Sequence, residues 1–527
     1  MSVIATTNVK RALALVVPPR GSRTRAWLLR ARARLWFFAL LAAVCLVYRF
    51  IGSAGAPAWP VYGVYHDLQA DGFLRGHTSL PIEPAPELLR AANPYDSANM
   101  RFWWLDASYY RGKYYIYWGP VPALLQAVGK WVLGVRGGVG DQYVDVFFHD
   151  LAFVVGALLI ERLLHRLFNA RSRWLLTLAV LVFAFANPTP HGVATASTYH
   201  TAILAAQAWL LCGLLLAFDA VWHAGSDAAR TWRLVGAGAC WGLALGSRVT
   251  VLPAIALLVA LTAAAEAWPA TRRWRRLLRG TLAVGGPVAL AGAALLAFNK
   301  VRFDAWLEFG SKLQLSAFPI RFSPSYILAN LYSYTFRPAA VTCEFPYVHQ
   351  VWSMGAPAFP RGFPLPHDYL VLEPIVGWAL AVPFTWLIPF AFALAPRPVV
   401  LSSPRVRCYL FCVLAFVVLS SVSGAVALLV YTGTMRYLSD VTFGLTLLGV
   451  LGGFALRFQR VGLAAPRAVS SLLVVLGITT VIIGLLLGYQ GYNLHFKTYN
   501  PGLHQRLVST LSLCGTSPPD SRPKSGP

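Results

Sequence analysis

Apolar runs long enough to cross a bilayer recur along the whole chain, and they constrain its fold more than any other feature. A helix needs about 20 such residues to cross a hydrocarbon core of about 30 Å. The sequence is 57% hydrophobic and only 12% charged over 527 residues, which is far less charge than a soluble protein of this size carries. We therefore expect an all-α polytopic membrane protein. Eleven transmembrane helices are predicted, at about 35–52, 143–161, 174–187, 194–218, 234–247, 249–268, 281–299, 373–395, 408–430, 437–456 and 468–488.

The segment before the first apolar run is too long and too basic for a signal peptide. Residues 1–34 carry eight Lys and Arg, whereas the charged region of a signal peptide is short. We expect 35–52 to be retained as a signal anchor, with 1–34 forming a cytoplasmic basic N-terminus.

The positions of the basic residues predict the orientation of the helices. Lys and Arg concentrate in cytoplasmic loops, and 25 of the 45 fall in six segments that share one side if the N-terminus is inside. The net charge of +25 is thus mainly an orientation signal, with contact to anionic membrane lipids as a second interpretation. The six basic segments predicted on the cytoplasmic side are 1–34, 161–173, 219–233, 269–280, 396–407 and 457–467. No motif predicts a nucleic-acid partner.

Two long segments, 53–142 and 300–372, are predicted on the opposite, periplasmic side, together with the tail 489–527. The apolar stretch 114–134 could span, but counting it would move every later arginine cluster outside. We therefore expect an interfacial helix there, interrupted at its start by proline. A second interfacial helix is expected at 326–338. The transmembrane module covers 35–488, and the end of the tail, 515–527, has a disordered composition.

Three arginines stand at predicted outer ends of helices, where few cations are expected. They are Arg302 in FNKVRFDAWLEFG (298–310), Arg248 and Arg436. Cations at that depth are costly unless they meet an anion, and the planar guanidinium suits phosphate. We expect an anionic-headgroup site. The alternative is that these side chains extend to the interface or pair with Glu308 and Asp440.

The first outer segment supplies candidate acids for catalysis. Asp106 comes first because Trp and Tyr residues surround it, which excludes water and offers faces on which a sugar can stack. Asp67 is the second candidate and Asp71 the third; four residues apart, they share a helix face. The alternative for each is a solvated loop acid or a helix cap.

The cysteines and histidines give little indication of a metal. The seven cysteines form no CxxC pair, and only Cys343 and Cys514 lie outside apolar spans, where they could form a disulfide. His66 and His77 could join Asp67 as metal ligands, but their spacing is unspecific. A divalent metal is therefore the less favoured interpretation, and no cofactor is predicted.

Five motifs in order resemble the C-type (GT-C) integral-membrane glycosyltransferases, the superfamily of the protein O-mannosyltransferases and lipid A aminoarabinose transferases. The resemblance covers about residues 60–460. Within the superfamily, the chain most specifically resembles a group of bacterial membrane proteins. The chain departs from the superfamily at 61–65, VYGVY, where an acidic residue often stands. The motifs are ADGFLRGHTSL (70–80), DASYYRGKYYIYWGPVPALL (106–125), GLALGSR (242–248), FNKVRFDAWLEFG (298–310) and RYLSD (436–440).

The resemblance implies a GT-C-like helix bundle that transfers a sugar, with inversion, from a polyprenyl-phosphate-linked donor to a glycan, lipid or protein acceptor. Asp106, or else Asp67 or Asp71, would be the base. Residue usage suggests a bacterium, so the chain is expected in the inner membrane, with its N-terminus cytoplasmic and its C-terminus periplasmic. The lipid phosphate would be held by Arg302, Arg248, Arg436 and Lys113. Substrates would contact His66, Tyr110, Tyr115, Glu308 and Tyr437.

Three other functions remain open from the sequence. A flippase or transporter usually has polar residues at the bilayer midplane and repeat symmetry, whereas the unusual charges here gather at one face. A polymerase or ligase of lipid-linked glycans is chemically close to a transferase. A non-catalytic membrane scaffold would have no affinity for lipid phosphate.

Overall fold

The computed structural model describes residues 23–514 except 62, 223–224, 269–272, 319–320, 351–358, 372, 396–402, 460–465 and 493. Most of the predicted basic N-terminus and all of the predicted disordered segment 515–527 lie outside the described residues. The chain divides into two compact units, one ending at Val47 and one beginning at Tyr48. All contacts given below are within the second unit.

The described chain is predominantly helical, and eight helices are long and apolar enough to cross a membrane. The protein is thus an all-α polytopic membrane protein, as the hydropathy pattern predicts. The eight segments are Arg34–Gly52, Gln142–Leu167, Thr198–Trp222, Val249–Ala267, Arg273–Phe303, Pro404–Leu428, Met435–Phe458 and Pro466–Gln490.

The predicted number of eleven transmembrane helices is not confirmed. Arg173–Phe185 and Thr189–Thr195 are bent by 46° and count as a ninth span only together. The expected span 234–247 lies in the 21-residue helix Asp227–Ser247, whose first half carries Arg230 and Arg233 and is too polar to qualify.

The expected span 373–395 is broken rather than continuous. Its helical pieces are Trp378–Ala381, the 3₁₀ turn Pro383–Leu387 and Ile388–Ala393. Proline has no N–H and clashes with the preceding helical turn, so Pro383 ends the first piece.

Helices are present at both positions where interfacial helices are expected, although they are shorter than predicted. Val121–Leu133 begins after Pro120 and ends at Gly134, whose φ of +65° is a left-handed conformation that glycine adopts without strain. Ile327–Phe336 follows a 3₁₀ turn at Pro324–Tyr326. The other short helices are Tyr65–Leu74, Pro86–Arg90, His495–Tyr499 and Pro501–Leu511.

Among the described residues, three small two-stranded sheets order the loops between these helices. Ser108–Tyr110 pairs antiparallel with Lys113–Tyr115, and Ala340–Val341 pairs antiparallel with Val348–His349. The third sheet is parallel: its strands are Leu370–Val371 and Thr432–Gly433.

One end of the bundle is rich in arginine, and we call it the arginine end. Asp219 accepts from Arg162 at 3.2 Å and from Arg166 at 2.7 Å. Arg407 donates to the Val221 carbonyl at 2.8 Å. These residues come from segments that the charge distribution predicts on one side of the membrane, and in the structure they meet. Two further contacts at this end are Arg230–Glu266 and Arg279–Thr231.

At the other end, which we call the loop end, the two long loops interlock. The Asp106 N–H donates to the Leu315 carbonyl at 2.7 Å, and the Leu315 N–H donates to the Ala107 carbonyl at 2.9 Å. The pairing of Cys343 with Cys514, which the sequence leaves possible, is present as a disulfide. It fastens the second loop to the segment that follows Pro501–Leu511.

Candidate functional site

Asp106 stands in a tight turn just before the strand Ser108–Tyr110. Its φ of +66° is left-handed, a conformation that Asp tolerates better than most residues. The half-buried carboxylate accepts from the Gln314 amide at 2.9 Å on one oxygen and from the Tyr199 hydroxyl on the other. Asp106 is therefore an oriented hydrogen-bond acceptor at the junction of the two loops.

Tyr199 connects this carboxylate to a guanidinium. It is the second residue of the helix Thr198–Trp222, and the Arg436 guanidinium carbon lies 4.4 Å from the centre of its ring. At that distance the ring face attracts a cation. One phenol thus contacts the predicted base with its hydroxyl and a predicted phosphate-binding cation with its face.

Arg436 is held by a carboxylate that the sequence did not single out. Its guanidinium donates to Glu373 at 2.6 Å. The parallel pairing of Leu370–Val371 with Thr432–Gly433 explains the meeting, because each residue follows its strand by only two or three positions. The Glu373 side chain is 9% exposed, so the pair is largely desolvated.

Arg248 forms the second ion pair of the site. It ends the helix Asp227–Ser247 and donates to the two Asp440 oxygens at 2.7 and 2.5 Å. The Tyr437 ring lies between the two arginines, 5.9 Å from Arg248 and 5.6 Å from Arg436. The structure therefore brings Arg248, Arg436 and Tyr437 together, with each guanidinium already balanced by one carboxylate.

Aromatic side chains enclose the site. The Trp118 ring packs edge-on against Tyr65 at 5.7 Å and against Tyr199 at 5.3 Å. Burial and the neighbouring Asp106 carboxylate raise the pKa of the Tyr65 hydroxyl. Burial also raises the pKa of Tyr117, against the opposing effect of Arg436 and Arg248. These phenols remain protonated and can act as hydrogen-bond donors at neutral pH.

Asp67 and Asp71 share a helix face as predicted, but both contact Lys130. One Asp67 oxygen accepts from Lys130 and from Gln126, each at 2.8 Å, and the other accepts from the Val139 N–H at 2.8 Å. Asp71 accepts from Lys130 at 2.5 Å. Both oxygens of the buried Asp67 are thus engaged.

His66 lies beside another buried carboxylate, that of Asp141. The backbone N–H groups of His66 and Asp67 donate to Asp141, at 3.3 and 2.9 Å, and so does the Thr198 hydroxyl, at 2.6 Å. Asp141 therefore caps the first turn of Tyr65–Leu74. The His66 ring contacts the Thr198 carbonyl at 3.3 Å. Burial lowers the pKa of His66 despite the nearby Asp141, which favours the neutral ring.

Arg302 points into a different environment from the other two arginines. It is 2% exposed and donates to the Ile116 carbonyl at 2.7 Å and to Asn299 at 2.8 Å. The rings of Phe298 and Phe303 lie 4.1 and 4.7 Å from its guanidinium carbon. Its connection to the site is the hydrogen bond to the carbonyl of Ile116, the residue before Tyr117.

The remaining predicted residues lie around the hairpin 108–115. The Glu308 carboxylate accepts from the Gly310 N–H at 2.7 Å. Tyr110 donates to Asp304 at 3.5 Å, and the Tyr115 ring packs against Phe303 at 5.2 Å. The Lys113 side chain is exposed.

No group of three or more His, Cys, Asp or Glu residues in the described part of the chain is arranged to hold a metal ion. The residues of the candidate site that the sequence did not single out are Tyr199, Gln314, Glu373 and Tyr117.

The chain is similar to solved structures of an ArnT and of an archaeal oligosaccharyltransferase. With ArnT from Cupriavidus metallidurans bound to undecaprenyl phosphate it shares 14% identity over 90% of this chain and 80% of that one, with a TM-score of 0.49. With the archaeal oligosaccharyltransferase AglB from Archaeoglobus fulgidus, in complex with an inhibitory peptide and a dolichol-phosphate, the identity is 13%. That match covers 94% of this chain and 62% of that one, with a TM-score of 0.45. No family model and no curated protein matches the chain.

Proposed function

We propose that the protein is a membrane glycosyltransferase that moves a sugar from a polyprenyl-phosphate-linked donor to an acceptor hydroxyl at the loop end. The observation that carries the proposal is the row of contacts Gln314–Asp106–Tyr199–Arg436–Glu373. It puts an oriented carboxylate at the hydroxyl of one phenol and a guanidinium against the ring of the same phenol. Acid–base chemistry and phosphate binding would then occur in one site.

In the proposed reaction, Asp106 takes the proton of the acceptor hydroxyl. The acceptor oxygen forms a bond to the anomeric carbon, and the bond from that carbon to the phosphate oxygen breaks. The bonding electron pair leaves with the lipid phosphate, whose charge Arg436 and Arg248 stabilise. Attack from the face opposite the phosphate gives inversion.

The choice of Asp106 over Asp67 and Asp71 follows from their partners. A base must be within hydrogen-bond reach of the substrate proton. Both oxygens of Asp67 are buried and occupied, and Asp71 shares the same lysine. Asp106 is half-buried and has only neutral partners, Tyr199 and Gln314. We assign Asp67 and Asp71 to the support of the first loop.

The other predicted contacts remain part of the proposal. Tyr437 would position the two guanidinium groups, which both lie against its ring. Lys113, which the resemblance assigns to the lipid phosphate, would instead face the acceptor together with Tyr110 and Tyr115. Glu308 would shape the 300–310 turn, and His66 would pack beneath Trp118. Lipid-linked donor, glycan, lipid or protein acceptor and membrane lipids are the proposed partners, without nucleic acid.

The proposed location is the bacterial inner membrane, with the loop end in the periplasm. The basic residues of the arginine end are typical of a cytoplasmic face. The disulfide Cys343–Cys514 belongs to the loop end, and disulfides persist in oxidising compartments such as the periplasm. The N-terminus would then be cytoplasmic.

Native mass spectrometry with added undecaprenyl phosphate tests the proposal. We expect a one-to-one complex for the wild type and at least about tenfold weaker binding for Arg436→Ala, because hydrogen bonds to charged groups are strong. The matched control is Arg321→Ala, which removes an exposed arginine that pairs with Asp368 at 3.3 Å. A wild type that does not bind, or equal binding by Arg436→Ala, would contradict the proposal. Binding without sugar transfer from any donor would favour a flippase.

A further inference from the structure

A short segment, residues 116–119, is held at both ends against two different helices. At its start, the Ile116 carbonyl accepts from Arg302 at 2.7 Å. At its end, the Gly119 N–H donates to the Ser247 carbonyl at 3.2 Å. A Cβ atom on Gly119 would lie 2.0 Å from the Gly246 carbonyl oxygen, so only glycine allows this approach. The segment therefore lies directly beside the helix end that presents Arg248.

Tyr117 is the side chain that this segment presents to the site. Its ring packs on Trp118 with 4.3 Å between centroids, and it is partly exposed. The charges of Arg436, Asp106 and Arg248 all act on its hydroxyl. No described residue forms a hydrogen bond with that hydroxyl. A hydroxyl without a described hydrogen-bond partner thus belongs to a segment that packs against Tyr199 through Trp118 and contacts the helix end just before Arg248 through Gly119.

We propose that the Tyr117 hydroxyl donates a hydrogen bond to a phosphate oxygen of the lipid bound between Arg248 and Arg436. This inference rests on the proposed function, because it assigns one more contact in the same site. A phosphate group has several acceptor oxygens, and the two arginines already share their donors with Asp440 and Glu373. A neutral donor strengthens the phosphate site without a further carboxylate to balance it.

Arg302 becomes a positioning residue under this assignment. Its terminal nitrogens are occupied by Ile116 and Asn299, and two phenylalanine rings cover its guanidinium. It would act on the phosphate only by fixing the Ile116 carbonyl, and with it the Tyr117 ring. This differs from the direct phosphate contact that the sequence suggests for Arg302.

The test of Tyr117 compares undecaprenyl phosphate binding to the full chain in lipid nanodiscs. We expect Tyr117→Phe to weaken binding about 10- to 100-fold, the range for a hydrogen bond to a charged group. Tyr143→Phe removes the hydroxyl of an exposed tyrosine outside the site and should bind as the wild type does. Equal affinity of Tyr117→Phe and wild type would overturn the inference and leave the proposed function standing. A wild type that does not bind would overturn the proposed function itself.

The role of Arg302 is tested with 3-fluorotyrosine at position 117. The fluorine resonance should shift when undecaprenyl phosphate is added to the otherwise wild-type protein, and this shift should be lost in Arg302→Met. The double variant Tyr117→Phe/Arg302→Met should bind no more weakly than Tyr117→Phe alone. If the losses of affinity caused by the two substitutions add in the double variant, Arg302 contacts the phosphate independently of Tyr117, and the positioning role is overturned. If Arg302→Met does not fold, Arg302→Lys, which keeps the charge but cannot bridge Ile116 and Asn299, gives the same comparison.

Discussion

The Arg436 guanidinium carbon lies 4.4 Å from the centre of the Tyr199 ring, and the hydroxyl of the same ring donates to Asp106. These two charged residues are 330 positions apart in the sequence, yet one side chain connects them. The proposed base and the proposed phosphate site therefore share a support, and a change at Tyr199 should affect both.

Replacing Asp106 by Asn should separate proton transfer from lipid binding. The amide keeps the shape of the carboxylate but cannot take the proton from the hydroxyl of the acceptor substrate. The rate of sugar transfer should therefore fall by about 10²- to 10⁴-fold. Undecaprenyl phosphate should bind as tightly as to the wild type, since the two arginines are untouched. Transfer is measured with the donor that the wild type uses. The control is Asp96→Asn, which alters an exposed cap on the Ala98 N–H. Full activity in Asp106→Asn would remove Asp106 as the base.

Removing the carboxylate that balances Arg436 should strengthen anion binding. Glu373→Gln keeps a hydrogen-bond acceptor 2.6 Å from the guanidinium but raises the net charge of the site by one. Opposite charges attract strongly where water is largely excluded, so we expect undecaprenyl phosphate to bind about tenfold more tightly. The affinity should also become more sensitive to salt. Weaker binding would mean that the geometry imposed by Glu373 matters more than its charge.

Lys130 should be essential to the stability of the first loop. It is 4% exposed and forms ion pairs with both Asp67 and Asp71. Lys130→Met leaves Asp67 buried without its cation, which costs about 3–5 kcal/mol in the free energy of unfolding. Thermal unfolding in detergent measures the loss, with the exposed Lys312→Met as control. Unfolding temperatures within a degree or so of each other would contradict the prediction.

The contribution of Lys130 to the free energy of unfolding should decrease at alkaline pH and not at acidic pH. Burial opposes its charge, but hydrogen bonds to Asp67 and Asp71 outweigh that effect and raise its pKa above the ordinary 10.5. A raised pKa means that the stabilisation is complete below 10.5 and is lost as the pH rises through the value in the folded protein. The difference in unfolding temperature between wild type and Lys130→Met should therefore stay constant between about pH 6 and pH 9 and shrink in more alkaline buffer. A difference that falls on acidification would point to another group.

Only two of the seven cysteines should resist alkylation in the unreduced protein. Cys343 and Cys514 are bonded, whereas Cys45, Cys212, Cys240, Cys408 and Cys412 are free. Mass spectrometry of the denatured, alkylated protein counts the modified thiols before and after reduction. The paired replacement Cys343→Ser/Cys514→Ser should lower stability by about 2–5 kcal/mol. Seven alkylated thiols without reduction would contradict both the bond and the proposed periplasmic location of the loop end.

Hydropathy predicted most of the long helices because a transmembrane helix must be apolar over its whole length. It failed at 373–395, where composition is apolar throughout but Pro383 interrupts the backbone. It also counted 234–247 as a span, although the helix there extends back to Asp227. Hydropathy averaged over a window of residues does not detect the N–H that proline lacks, nor does it detect polar residues at one end of a helix.

Charge at the predicted outer end of an apolar run singled out Arg248 and Arg436, because cations are expected to be rare there, whereas the surrounding Trp and Tyr residues singled out Asp106. Tyr199 and Gln314 are neutral and carry no such signal; their role arises from contacts to Asp106 across 93 and 208 positions. The spacing of Asp67 and Asp71 was interpreted correctly as one helix face. Their partner Lys130, about 60 residues further on, could not be assigned from spacing.

The disulfide also sets an order of events during biogenesis. Residues 343 and 514 are separated by 171 positions, and Gln314, which touches Asp106, lies in the loop that this bond fastens. The bond can close only after the ribosome has made the chain through Cys514 and that residue has reached the loop end. Until then the second loop is held by its non-covalent contacts, such as those of Leu315 with Asp106 and Ala107. The covalent connection of this loop would then be a late step in maturation, timed by oxidation after translation.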